Sequence, residues 1–453
     1  NKNIHNCQLS IVLCQLNTVG VCYMDILIKD AMIITMDEGR DVIDRGYILI
    51  KDNLIKQVSY GEYIGENIGE YKNLEVINGK DYCVMPGLIN AHTHAAMTML
   101  RGYGEGLPLM RWLKEKIWPM ESKFTAKHIK LGTELACLEM LSTGTTCFND
   151  MYFYQEEVME VAKEFNIRAV LGIPIIGEDW EHQLKEALEL HKKTESCKNT
   201  MVSSMLAPHS PYTLSKEALK VIGEEGKKID SGIHIHIAET EDEVNILKEQ
   251  YNSTSCQVLL ESGIFENRVV GAHCVHLTDE DIKIIKNNKV NVVYNPQSNM
   301  KLASGIPRIV EMLNEGINVC IGTDGASSNN NLNMMEEMET GALLQKLWCR
   351  DPTKLDGKEI IKMATLNGAK ALGFDKLGKI KEGYLADLIM INLNKPNLVP
   401  NYNVYSNIAF SANGSEVEYV IVDGNIVMRK GEFLNIDKEK IIYDFKALCK
   451  NLM

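Results

Sequence analysis

The chain has 453 residues, with 48 Lys and Arg against 61 Asp and Glu and a formal net charge of −13. Hydrophobic residues make up 45% and charged residues 24%, which are ordinary globular values and exclude disordered and fibrous classes. The acidic balance, with no basic run, excludes a nucleic-acid backbone as partner, and no apolar run reaches the ~18 residues that a membrane span needs.

Residues 1–23 read as an extension ahead of the fold. The mildly apolar run Ile11–Tyr23 is interrupted by Gln15, Asn17 and Thr18, and only Lys2 is basic, so a targeting segment is the weaker reading. From Met24 to Tyr82, short apolar runs alternate with Gly and Asp/Asn turns, the signature of β-strands. Residues 382–453 are patterned alike, and Asp423-Gly424 between two apolar runs predicts a tight hairpin. The two ends therefore predict one small β module, a sandwich assembled from 24–82 and 382–453.

The middle, 83–381, alternates short apolar runs with helical segments. Eight such runs can be counted, from CVMPGLINAH and TTCFNDM through GIHIHIAE and RVVGAHCVH to VCIGTDG. Between them lie helices such as the one that Thr125 can cap. Eight strands alternating with helices predict an α/β fold of the (β/α)8 barrel type. The 12 cysteines are scattered, form no C-x-x-C pair and sit mostly in apolar runs, as at Cys83, Cys147, Cys274 and Cys320. That pattern predicts free thiols in a reducing, cytoplasmic setting.

Polar residues gather where the apolar runs end. His92 and His94 end the first run, His209 the fourth, His236 and Glu239 the fifth, His273 the sixth and Asp324 the eighth. Strand C-termini share one face of such a barrel, which is the face that carries chemistry. In His92-Thr93-His94, the first and third side chains of a strand point the same way, so both imidazoles can reach one ion. A third His and a carboxylate complete an N3O set suited to Zn²⁺ with a place left for water. His236 is nearer its strand end than His234 and is the expected third ligand, with His234 behind it. His276 is expected to be structural. Glu239 fits a general acid, and Asp324, in Gly-Thr-Asp-Gly, fits a ligand that also takes a proton.

With these motifs in view, PGLINAHTH (86–94), IHIHIAET (233–240), GAHCVHL (271–277) and GTDGASSNN (322–330) resemble the amidohydrolase superfamily. The stretch LPLMRWLKEKIWPMESKFT (107–125) is similar to its 5′-methylthioadenosine/S-adenosylhomocysteine deaminases, themselves related to triazine chlorohydrolases. The resemblance spans Met24 to the C-terminus. It implies a metal-dependent barrel with a β-sandwich, one divalent ion on His92, His94, His236 and Asp324, and Glu239 as proton shuttle. It also implies His273 beside the activated water, Glu121 as the ribose-binding carboxylate and His209 against the purine. The implied reaction is hydrolytic attack by a metal-activated water at C6 of the adenine ring of 5′-modified adenosines, releasing ammonia. The implied partner is a small nucleoside, with homo-oligomerisation left open.

One departure bears on the substrate. Relatives commonly carry an Arg just after the third strand, suited to the carboxylate of S-adenosylhomocysteine. Here the segment is VLGIPIIGEDW, and Arg168 precedes it. Substrates with apolar 5′ ends, 5′-methylthioadenosine and 5′-deoxyadenosine, are therefore favoured. The lid residues Leu107, Leu109, Met110 and Trp112 are candidates to cover that end. Fourth-strand MVSSMLAPHS has no Lys, so a two-metal centre is not expected. The alternatives are a guanine- or cytosine-type deaminase, a triazine-type hydrolase or, more remotely, a non-catalytic scaffold on the same fold. The cytidine-type zinc deaminases are excluded, because their P-C-x-x-C motif is absent.

Overall fold

A computed structural model describes residues 24–63, 73–197, 201–450 and 452. The expected extension 1–23 lies outside the described residues. The architecture is mixed α/β and has two strand systems that differ in how they bury side chains.

The first is a nine-stranded sheet with strands from both ends of the described chain. Asp25–Ile34, Val42–Lys51, Leu54–Tyr60, Leu74–Asn78 and Tyr82–Pro86 come from one end. Leu388–Asn392, Val417–Val422, Asn425–Arg429 and Glu432–Phe433 come from the other. The join is the antiparallel pairing of Tyr82–Pro86 with Leu388–Asn392. The expected hairpin is present: Asp423 and Gly424 adopt φ of 49° and 75° between antiparallel strands, the double positive φ that a type I′ turn requires.

The second system is parallel and almost entirely buried, with only Ser203 partly exposed among its strand residues. Leu88–Thr93, Thr145–Met151, Arg168–Gly172 and Val202–Ser204 form one sheet, and Ile233–Ile237, Val269–His273, Asn291–Tyr294 and Val319–Ile321 form another. Parallel strands covered on both faces read as near-continuous apolar runs, as Val269–His273 and Val319–Ile321 do, whereas Ile233–Ile237 alternates Ile with His. Backbone bonds cross both gaps between the sheets. Leu206 N–H donates to the Gly232 carbonyl at 3.0 Å and His234 N–H to that of Leu206 at 2.9 Å, and across the other gap Asp324 N–H donates to His92 at 3.0 Å.

Two details depart from the sequence reading. Cys83–His92 is not one strand but two, because the chain changes sheets at Gly87 rather than entering the parallel set at residue 83. Any Cβ at Gly87 would meet the Thr146 Oγ1 at 2.1 Å, so only glycine allows this passage. The segment after residue 382 is also not all β. It ends in the helix Lys438–Cys449, which packs against the helix Ala126–Ser142. The latter starts at Thr125 with a reciprocal cap to His128, as expected. No helix among the described residues is long and apolar enough to cross a membrane. Nine cysteines are described, and all are free.

One buried ion pair ties the two systems together. Arg168, at the start of the third parallel strand, binds Asp387 through Nε and Nη2, both at 2.9 Å, and Asp423 through Nη2 at 3.3 Å. Arg168 is fully buried and its guanidinium is held charged by Asp387, against the pull of burial. Removing one partner leaves an uncompensated charge in the interior, which costs about 3–5 kcal/mol. Asp387→Ala is therefore expected to lower the Tm markedly in a thermal melt, while the fraction that remains folded keeps its catalytic parameters.

Candidate metal centre and catalytic cavity

The polar strand ends singled out in the sequence converge on one cavity, with His92 buried just behind its wall. Its wall includes His94, Glu121, His209, His236, Glu239, His273 and Asp324. The strand ends themselves are bent: Ala238, His273, Cys274 and Asp324 have φ of 47°, 71°, 52° and 61°. Positive φ is uncommon for non-glycine residues and gathers at functional sites, where surrounding structure holds it.

The ligand atoms of His92, His94 and His236 lie within 4.8 Å of one another, as do those of His92, His273 and Asp324. Asp324 Oδ1 is 3.4 Å from His92 Nε2 and 3.2 Å from His94 Nε2. Ligands about 2.0–2.1 Å from a tetrahedral ion sit at about that separation from each other. His92 Nε2 is buried and makes no hydrogen bond, so it has a lone pair without a partner. The opposite ring nitrogens are each engaged. His94 Nδ1 donates to the Met151 carbonyl at 2.6 Å and His236 Nδ1 to that of His209 at 2.7 Å. His92 Nδ1 is 2.7 Å from His234 Nε2, which places His234 behind the ligand set as expected. Outer partners of this kind turn Nε2 toward a metal. The donor set fits a divalent cation. His276 faces away, bonded to the Ser304 carbonyl at 2.6 Å.

The two carboxyls beside this cluster are shifted in opposite directions. Burial alone would raise Asp324, but the adjoining His92 and His94 imidazoles outweigh it and hold the group well below the usual carboxylate range. Burial, reinforced by the Asp324 and Glu243 carboxylates, holds Glu239 well above it. Glu239 Oε2 is 3.8 Å from His273 Nε2. Burial also lowers His273 to about 3 and His209 to about 4, so both rings are neutral near pH 7. Across the cavity, Glu121 Oε1 accepts a hydrogen bond from the Tyr152 hydroxyl at 2.6 Å, and burial raises its carboxyl.

The lid that covers the cavity runs through the helix Leu109–Trp112, a π-helical turn Leu113–Ile117 and the helix Trp118–Glu121. Leu109 and Trp112 line the cavity as expected. Leu107 and Met110 do not; Leu113 and Trp118 stand there instead, because the wider π turn rotates the face presented to the cavity. Neither arginine near the lid or the third strand reaches the site. Arg111 pairs with Glu115 at 2.8 Å, and Arg168 lies in the buried pair described above.

Several supporting residues escaped the sequence reading. Ser298 and Ser328 donate to Asp324 Oδ2 at 2.6 and 2.8 Å, and Asn299 is 2.9 Å from His273 Nδ1. Glu243 accepts from the backbone N–H groups of Ala238 and Glu239, each at 2.9 Å. Only Glu243 had a local signal: it follows the helix cap Thr240 by three residues. Ser298 and Asn299 belong to a segment remote from Asp324 and His273 in sequence, and Ser328, four residues after Asp324, reaches it through the turn.

Residues 83–427 match the family model described as Amidohydrolase family. The chain belongs to the amidohydrolase family. It is 62% identical over 430 residues to a 5-methylthioadenosine/S-adenosylhomocysteine deaminase of Clostridium tetani (strain Massachusetts / E88), covering 95% of this chain and 99% of that one. It is 47% identical over 399 residues to a 5'-deoxyadenosine deaminase of Methanocaldococcus jannaschii, covering 87% and 93%. An adenosine deaminase from Xanthomonas campestris, crystallised with bound zinc, superposes with a TM-score of 0.89 at 31% identity, over 95% of this chain and 98% of that one. These amidohydrolase relatives share the metal-dependent barrel class of fold.

Proposed function

We propose that this amidohydrolase is a hydrolytic deaminase of 5′-modified adenosines, taking the adenine ring of 5′-methylthioadenosine, 5′-deoxyadenosine or S-adenosylhomocysteine to hypoxanthine with release of ammonia. The observation that carries this reading is the placement of two carboxyls, Asp324 and Glu239, in one cavity beside a cluster of imidazoles, with surroundings that push the first down and the second up. Two groups whose surroundings push their pKa values apart are an acid and a base ready for one reaction. The names of the relatives support the substrate class.

His92, His94, His236 and Asp324 would hold one divalent cation, Zn²⁺ by the N3O donor set and by its presence in the Xanthomonas relative. When bound, the cation supplies Lewis-acid activation of a water. Asp324 accepts a proton from the attacking water, and the neutral His273 ring beside it orients that water. Glu239 donates its proton to N1 of the purine, which makes C6 more electrophilic. A proton then reaches the C6 amine, and ammonia leaves. His209 packs against the purine. Glu121 accepts hydrogen bonds from the ribose hydroxyls, as an ionised carboxylate offers only acceptors. Leu109, Trp112, Leu113 and Trp118 face the 5′ group. The two parallel sheets and their bridging bonds are read as one (β/α)8 barrel, and the nine-stranded sheet as the core of a β-sandwich module. The free, buried thiols fit a reducing cytoplasm.

Elemental analysis is expected to find one divalent metal per chain, and its removal by a chelator to abolish turnover; two metals per chain would overturn this mechanism. Glu239→Gln is expected to keep the metal and lose about 10²–10⁴-fold in kcat, the range for a general acid–base group. Loss of the metal in that variant would instead make Glu239 a ligand. Substrate choice separates this reading from a base deaminase. With both candidate arginines engaged elsewhere, 5′-methylthioadenosine and 5′-deoxyadenosine are expected to match or exceed S-adenosylhomocysteine in kcat/KM, and free adenine to be poor. Glu121→Ala is expected to lower kcat/KM on nucleosides about 100-fold or more, since each hydrogen bond to a charged group contributes about 1.5–3 kcal/mol. Equal efficiency on free adenine would refute the ribose assignment.

A further inference from the structure

Glu337 lies on the helix Met334–Cys349 and is completely buried. It is not part of the cavity wall, and no step above uses it. An acid buried for packing alone would be a poor choice, because an apolar residue fills space without the penalty of desolvating a carboxyl. Its two oxygens instead go to two different segments. Oε1 accepts from Asn329 Nδ2 at 2.5 Å, and Oε2 accepts from the Gln297 backbone N–H at 3.3 Å.

Each arm leads to the site in one further step. The Asn329 amide also donates to the Thr323 carbonyl at 2.7 Å, and so braces the turn that carries Asp324 and Ser328. Gln297 is in the first turn of the helix Pro296–Lys301, and its next two residues are Ser298 and Asn299. Ser328 and Ser298 are the two hydroxyls that hold Asp324 Oδ2, at 2.8 and 2.6 Å, and Asn299 holds His273 at 2.9 Å. The supports of the Asp324 carboxylate and of the His273 ring thus hang from two segments fastened at one carboxyl.

We propose that Glu337 is a positioning residue: by bracing the 323–329 turn and the Pro296–Lys301 helix from one point, it sets the aim of Asp324 and His273 in the deamination step. A carboxyl suits this task because two acceptor oxygens can fix two donors in one register. Partners one layer out orient the groups that do the chemistry. This inference rests on Asp324 being the proton acceptor.

The test measures kcat and KM for 5′-methylthioadenosine, at saturating Zn²⁺, for Glu337→Gln and Glu337→Ala, with thermal melts alongside. The same Glu337→Gln change is then made in a Ser298→Ala/Ser328→Ala background. Glutamine preserves volume and one acceptor oxygen but turns an N–H group toward a donor, so it removes one arm without opening a cavity. Glu337→Gln is expected to lower kcat about 10- to 100-fold with KM within about threefold, and Glu337→Ala to lower it further. In the doubly substituted background, Glu337→Gln is expected to cost clearly less than in the parent, because the path to Asp324 is already cut and only the Asn299 path to His273 remains. A kcat of Glu337→Gln within about twofold of the parent would overturn the proposal. So would a loss that multiplies in full in the serine-deleted background, the behaviour of independent sites. Asp324→Asn serves as the control. If it keeps turnover, the acceptor reading fails and takes this inference with it; if it abolishes turnover while Glu337→Gln does not fall, the positioning role alone is refuted.

Discussion

The backbone bond from Asp324 N–H to the His92 carbonyl, 3.0 Å long, is the contact on which the site depends. It joins the last parallel strand to the first and sets Asp324 Oδ1 within 3.4 Å of two imidazoles that come from the far end of the sequence. Glycines make that approach possible. A Cβ at Gly322 would lie 2.7 Å from the backbone N and O of His92, so the two strands could not close to bonding distance with any other residue there. The Thr93 hydroxyl adds a second bond across the same seam, to the Asp324 carbonyl at 2.9 Å. The proposed metal ligands at the ends of different strands are held in register by the main chain, which is stiffer than any loop.

Around that seam the protein buries many polar groups and satisfies them in layers. Asp324 takes hydroxyl donors on one oxygen and the Gly325 N–H, at 2.8 Å, on the other. The imidazoles are tied by their outer nitrogens, which leaves the inner ones facing each other. Such a cluster is unfavourable by itself, since buried lone pairs with no donor lose their hydration without replacement. It becomes favourable when a cation is shared among them. The neighbouring Glu239 is not among those ligand groups, and burial pushes its carboxyl up. The acid and the base of the proposed reaction thus differ in what surrounds them rather than in kind.

The walls beyond the polar floor carry the selectivity. Glu121 and its partner Tyr152 stand on one side, and the apolar lid on the other. The lid has a π-helical turn between two short helices, and that extra width brings Leu113 and Trp118 to the cavity. No lid cation points inward: Arg111 is spent on Glu115. A cavity with a carboxyl at one end, the proposed ribose end, and an apolar lid at the other is suited to uncharged 5′ substituents more than to anionic ones.

Much of this was legible in the chain alone. Parallel strands covered on both faces are short and largely apolar, so eight such runs, five of them ending in His, Glu or Asp, marked both the strand system and its functional face. His92 and His94, two apart on one strand, had to share a side. The Asp423-Gly424 turn and the Thr125 cap were local signals with local causes, and both are present. Other features had no local signal. The break at Gly87 depends on Thr146, a residue from the next strand. The lid face depends on a π turn that helical periodicity at 3.6 residues per turn does not reveal. Arg168 could have served the substrate or the core; only its pairing with Asp387 and Asp423, hundreds of residues away, decided for the core. Ser298, Asn299 and Glu337 are common residue types in unremarkable contexts, and they come together only when separate segments meet around Asp324. Periodicity and spacing record what a residue needs from its own strand or helix. Which distant group completes its hydrogen bonds is settled only when the chain closes on itself.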